Sequence, residues 1–219
     1  MKLYYVVGSP NCRKVHAVLN HLGLEVDMEY RDFFTGELKA PDYLGLNPNG
    51  MVPTLRDGDF VLWESNAIMQ YLAAKAPANT LYPKHDAARA DISRWQCWEL
   101  AHYNKAFGAL SFETVAKPSF LNAAPDEAAV TWSKRELARH APTLESHLKG
   151  RKYLVGNDVT LADYSVIHLE GFKEAIPFDW SPFPNVNAYY ERMRAVPHWA
   201  KTAPGSPQAV GRRPSAAAA

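Results

Sequence analysis

Cysteine is nearly absent: Cys12 and Cys97 are the only two thiols in 219 residues. Two are too few for a disulfide framework or a thiolate-held metal, so each reads as a free thiol. An excess of charge of one sign is missing as well. Lys and Arg total 24 against 23 Asp and Glu. A balance of +1 attracts no polyanion, which argues against nucleic acid as a partner. No apolar run approaches the roughly 18 residues that a membrane span needs. The amino terminus, MKLYYVVGSPN, lacks a small-residue cleavage site. These absences predict a cytoplasmic protein with no membrane segment. His, Asp and Glu nowhere gather at metal-ligand spacing, and no internal repeat occurs.

Two hydrophobic periods are present, and they divide the chain. Leu3-Tyr4-Tyr5-Val6-Val7 reads as a strand, and Val15, Val18, Leu19 and Leu22 follow at helical spacing. Gly23 suits a left-handed helix end, and a second strand around Val26 to Tyr30 completes a βαβ unit with parallel pairing. Further on, Val52 to Leu55 and Phe60 to Trp63 flank Asp57-Gly58-Asp59, a hairpin signature, after which Glu64-Ser65 opens a helix. The order βαβ, helical connector, ββα predicts a small mixed α/β sheet of thioredoxin-like type over residues 1–76. From Asp86 the period is helical throughout, as in Ile92, Trp95 and Leu100, which predicts an all-α bundle over residues 86–202. Pro77 and Pro83 mark residues 77–85 as a linker. Thr160 and Asp163 form a capping-box pattern between Val159 and Tyr164. Residues 203–219, with three prolines and four closing alanines, hold too little apolar content to pack and read as a loose tail.

Three short motifs carry chemistry or structure. Ser9-Pro10 is a favoured helix start, Ser as N-cap and Pro at the first helical position. The same helix start concentrates unpaired N–H groups and positive dipole, which stabilise an anion such as a thiolate. Pro53, at the entry of a strand, is either an ordinary edge proline or a cis proline. In the cis case the peptide groups of Val52 could face outward to pair with a peptide-like ligand. Glu64-Ser65 either caps its own helix or supplies a carboxylate and a hydroxyl for the ammonium and carboxylate of an amino acid.

In this order, and followed by the Thr160 to Asp163 box and the Phe183-Pro184-Asn185-Val186 … Tyr190-Glu191-Arg192-Met193 ending, the motifs resemble the cytosolic glutathione S-transferases over nearly the whole chain. Ser9-Pro10-Asn11-Cys12-Arg13 resembles the theta- and delta-like pattern of Ser, two residues, Cys, Arg. Ser9-Pro10-Asn11 also resembles the Thr-Pro-Asn of nu-like bacterial members, and together these point to a bacterial serine-type enzyme. The resemblance implies a cis Pro53, a homodimer, and conjugation of glutathione to a small hydrophobic electrophile, a detoxification chemistry with no resident cofactor. It implies that Ser9 donates its hydroxyl hydrogen to the glutathione thiolate, with Asn11 beside it. Glu64 and Ser65 match the residues that hold the γ-glutamyl end. Val52, flanked by Met51 and Pro53, matches the backbone partner of the cysteinyl part, and Lys39 falls near the glycyl carboxylate. Tyr103, Phe107 and Phe112 are candidates for the hydrophobic co-substrate pocket, with plain interhelical core as the alternative. Cys12 is a candidate redox thiol, because a helix start can lower a thiol pKa. The alternatives are glutathione-dependent disulfide or peroxide reduction, or a glutathione-binding protein without activity.

Overall fold

The structure is a computed structural model that describes residues 1–76 and 79–203. Residues 77 and 78 of the expected linker and 204–219 of the expected tail lie outside the described residues. The chain divides into two compact units: one runs to Asn79 and resumes at Ala195, the other is Thr80–Arg194. The expected helical domain, 86–202, therefore differs at its end, because 195–203 joins the first unit.

In the first unit, β1 (Lys2–Tyr5), α1 (Pro10–Leu22) and β2 (Asp27–Tyr30) form the expected βαβ element. Strand β1 pairs in parallel with β2, Leu3 opposite Met28. A short 3-10 turn, Glu37–Lys39, and α2 (Pro41–Leu46) lead to β3 (Thr54–Asp57), β4 (Phe60–Trp63) and α3 (Ser65–Lys75). The sheet order is β2-β1-β3-β4, with β3 antiparallel to both neighbours. Asp57 pairs with Phe60, so the hairpin loop is Gly58-Asp59, and Gly58 supplies the positive φ of 61° that a tight turn needs.

Side-chain alternation along β1 sends Leu3 and Tyr4 to opposite faces, and both are buried. Tyr4 packs with Val6, Leu38 and Tyr43, the last from α2. Helix α1 ends as its sequence signals, with Gly23 left-handed at φ 63° and its N–H bonded to the Leu19 carbonyl. The returning segment carries α10 (Pro197–Ala200) and packs on α1. There the guanidinium of Arg13 lies 4.0 Å from the Trp199 ring, and its Nε donates to Thr202 Oγ1 at 3.2 Å.

Within the second unit all regular elements are helical: α4 (Asp86–Trp98), α5 (Asn104–Ser111), α6 (Lys117–Leu121), α7 (Glu127–Leu148), α8 (Leu161–Ile167) and α9 (Pro184–Arg194). Two π turns, Glu99–Tyr103 and Phe112–Ala116, join α4, α5 and α6 into one helical run. At the first of them the Asn104 amide bonds the buried Glu99 carboxylate at 2.7 Å and the Ser165 carbonyl at 3.0 Å. Leu137, Ala141 and Leu144 of α7 are buried, as are Val186, Tyr189, Tyr190 and Met193 of α9. The capping box forms as its pattern predicts: Asp163 accepts from the Thr160 N–H at 2.8 Å and also from the Leu154 N–H at 2.9 Å. No helix among the described residues is long and apolar enough to cross a membrane.

Candidate active site

Asn11, Met51, Val52, Pro53, Glu64 and Ser65 line one cleft of about 80 Å³ in the first unit, together with Asn47 and Asn49. The floor is the turn before β3. Its Val52-Pro53 peptide is cis, and among the described residues no backbone hydrogen bond pairs the N–H or C=O of Val52. Those two groups are available to a peptide ligand in the manner of an added strand.

Two residues that the sequence motifs did not single out hold this turn. Asn47, almost wholly buried, donates from Nδ2 to the Met51 carbonyl at 2.9 Å and to Thr54 Oγ1 at 3.1 Å. Its Oδ1 accepts from the Asn49 N–H at 3.1 Å. The Tyr43 hydroxyl donates to the Met51 carbonyl at 2.6 Å, and burial pushes the Tyr43 phenol up to about 12, so it remains a donor at neutral pH. The visible signal for Asn47 was its place in Asn-Pro-Asn-Gly; nothing local marked Tyr43.

Lys39 stands beside the cleft on the 3-10 turn, its Nζ 3.4 Å from the Asn49 carbonyl. Gly50 makes that approach possible. Its φ is +60°, and a Cβ there would lie 2.7 Å from the Leu38 carbonyl oxygen and 2.8 Å from Lys39 Nζ.

The side walls are two helix starts. Ser9 is the N-cap of α1, its Oγ accepting from the Cys12 N–H at 3.3 Å. That bond occupies a lone pair, and the hydroxyl hydrogen, within reach of the Cys12 sulfur, is the one a further acceptor has to draw away. Asn11, two residues on, accepts at Oδ1 from the Ser65 hydroxyl at 3.2 Å. At α3 the cap differs from the sequence expectation: Glu64 is the N-cap, with φ 71° and ψ 109°, and Ser65 is the first helical residue. A left-handed glutamate is strained backbone, and such strain collects where a ligand is held. Freed from capping, the Ser65 hydroxyl faces Asn11 across the cleft.

Cys12 does not fit the lowered pKa expected of a helix start. It is 0% exposed, and burial pushes its thiol up to about 11, outweighing the opposing effects of the Ser9 side chain and the Val6 backbone. The other cysteine, Cys97, is exposed on α4.

Tyr103 and Phe107 are fully buried in the helical unit. Tyr103 stacks on Trp98 at 5.4 Å and shares a 3.0 Å hydrogen bond with the Tyr190 hydroxyl; Phe107 packs on Tyr103 and Trp180. Both offer core packing and no open surface, whereas Phe112 is about half exposed.

A four-stranded mixed sheet with a cis proline at the entry to β3, an unpaired peptide before it and two helix starts around it defines a thioredoxin-like domain. Comparison with known proteins makes the assignment specific. The glutathione S-transferase N-terminal domain matches residues 8–75, and the glutathione S-transferase C-terminal domain matches 106–197. Glutathione S-transferase 3 of Zea mays is 37% identical over 211 residues, which is 94% of this chain and 95% of that protein. The structure of glutathione transferase F7 from Populus trichocarpa is similar at a TM-score of 0.84 and 27% identity, over 91% of this chain and 96% of the other. A theta class glutathione S-transferase from Xanthomonas axonopodis pv. citri, with glutathione bound, gives 0.83 and 30% over 95% and 98%. The chain belongs to the glutathione S-transferase family and is a transferase enzyme. Plant and bacterial relatives match it alike, so these likenesses support the family and not the bacterial theta- or nu-like serine subclass that the first helix pointed to.

Proposed function

We propose that the enzyme joins the thiolate of glutathione to a small hydrophobic electrophile by a serine-type mechanism. One observation carries the reading: the unpaired Val52 peptide and the hydroxyl of Ser65 open on the same cleft, beside the helix start that Ser9 caps. The Val52 N–H and C=O pair with the cysteinyl part of the tripeptide. Ser65, with Glu64, holds its γ-glutamyl end, and Lys39 attracts its glycyl carboxylate. The sulfur is thereby brought to Ser9, whose hydroxyl hydrogen it accepts, with the Asn11 amide as a second contact.

Making a thiol of ordinary acidity mostly thiolate at neutral pH requires roughly 2–3 kcal/mol of preferential stabilisation. A charge-assisted hydrogen bond at roughly 1.5–3 kcal/mol and a helix terminus at up to about 1 kcal/mol suffice together. Ser9 is a hydrogen-bond donor here and never a nucleophile. Disulfide reduction through Cys12 is disfavoured by its burial and raised pKa. Turnover of an activated aryl halide with glutathione tests the mechanism. Ser9→Ala lowers kcat by about tenfold to a hundredfold and moves the pH at which the rate is half-maximal upward; unchanged conjugation in that variant removes the serine mechanism. The homodimer common to the family is proposed likewise, and sedimentation checks it.

A further inference from the structure

A buried lysine ties the two helix starts together. Lys14 is the fifth residue of α1 and is 0% exposed, and its Nζ donates to Asn66 Oδ1 at 2.8 Å. Asn66 directly follows Ser65, whose hydroxyl donates to Asn11 Oδ1 at 3.2 Å. Asn11 and Lys14 are three residues apart on α1 and therefore share a face. The four residues make a closed clamp in which an i, i+3 pair on α1 grips two consecutive residues at the start of α3.

Electrostatics makes this an expensive place for a lysine. Burial penalises its charge, and it sits close to the positive dipole ends of both α1 and α3. An anion bound between the two helix starts is attracted by both dipole ends, and the ammonium adds to that attraction.

The two halves of the clamp answer differently to such an anion. The Ser65 hydroxyl has one hydrogen, so it cannot donate to Asn11 and to a ligand carboxylate together. Its bond to Asn11 must open when a carboxylate arrives, whereas the Lys14–Asn66 bond meets no such conflict.

We propose that Lys14 is a positioning residue for the γ-glutamyl carboxylate: it holds α1 in register with α3 through Asn66 while the Ser65–Asn11 bond is exchanged for a Ser65–carboxylate bond, and its buried charge favours the anion. The proposal rests on the glutathione reading above. It assigns Lys14 no contact with the ligand, and the effect passes through Asn66 and through the field of the ammonium.

The experiment compares wild type, Lys14→Met, Lys14→Arg and Asn66→Asp with two thiols, glutathione and cysteinylglycine, which lacks the γ-glutamyl carboxylate, at a fixed concentration of an activated aryl halide. Lys14→Met is expected to raise KM for glutathione about tenfold, the effect of one charge-assisted interaction. It should leave kcat within about twofold and KM for cysteinylglycine unchanged, and Lys14→Arg should recover most of the loss. Asn66→Asp turns the tie into an ion pair, which keeps the two helices in register and neutralises the ammonium. It should keep the melting temperature and still raise KM for glutathione. Equal losses for both thiols in Lys14→Met, or a normal KM for glutathione in Asn66→Asp, would overturn the proposal. Should Lys14→Met fail to fold, Asn66→Asp decides by that criterion alone. If wild type itself does not bind glutathione, it is the underlying site reading that fails, an outcome distinct from all of these.

Discussion

Ser65 and Asn11 hold each other across the cleft, the hydroxyl of the first residue of α3 donating to the side-chain oxygen of the second residue of α1 at 3.2 Å. A ligand carboxylate at Ser65 competes with Asn11 for one hydrogen. Removing the donor and removing the acceptor therefore have different consequences. Ser65→Ala weakens glutathione binding by about tenfold, the worth of a hydrogen bond to a charged group. Asn11→Ala leaves the Kd within about threefold, because no bond has to be broken first, and lowers kcat through the lost sulfur contact. Titration calorimetry and steady-state kinetics separate the two.

Gly50→Ala destabilises the first unit. The new Cβ meets the Leu38 carbonyl oxygen at 2.7 Å in a left-handed backbone, and the Lys39 amine has to leave its place. Strain of this kind costs about 1–3 kcal/mol, read as a lower urea midpoint. The displaced Lys39 adds a rise in KM for glutathione with little change in kcat.

The two cysteines differ in reactivity. At pH 7 an alkylating reagent modifies the exposed Cys97 in the native protein and reaches the buried Cys12, with its thiol pushed up to about 11, only after denaturation. Mass spectrometry of native and denatured samples reads one adduct and then two. Cys12→Ala keeps conjugating activity within about twofold; its abolition would restore the redox thiol.

Asp163 gives stability a pH dependence. Burial pushes its carboxyl up to about 6, above the ordinary aspartate range, and the four hydrogen bonds it accepts from Leu154, Thr160 and Tyr189 offset only part of that. A raised folded-state pKa means that the folded protein binds the proton more tightly. Its contribution is complete below the ordinary aspartate pKa and is lost as pH rises through about 6. Wild type should gain roughly 1 kcal/mol relative to Asp163→Asn between pH 7 and pH 5. Denaturant unfolding at the two pH values measures it; a constant difference would show that Asp163 stays ionised.

Much of the fold could be read from local patterns. The strand runs around Leu3 and Phe60, the glycine ends at Gly23 and Gly58 and the Thr160–Asp163 box all depend on neighbours within a few residues, and the structure carries each of them. Ser9 as N-cap was legible for the same reason. Ser65 was not, because the sequence favours a serine cap over a glutamate, and the glutamate holds the cap only with a left-handed backbone that the surrounding fold maintains. The facing of Tyr103 and Phe107 also escaped a helical period that marks an apolar stripe without saying what covers it.

The amino-acid sequence by itself determined the two halves of this protein, the order of their elements and, through three spaced motifs, the family. Those are properties of short-range periodicity and turn chemistry, which residues carry with them. Only the tertiary structure decided that Cys12 is a buried thiol, that Asn47 and Tyr43 hold the turn under Val52, and that residues 195–203 return to α1. It also decided that Lys14 is buried and tied to Asn66. Each of these depends on desolvation or on side chains that meet only when the chain has folded back on itself, and neither is written in a local pattern.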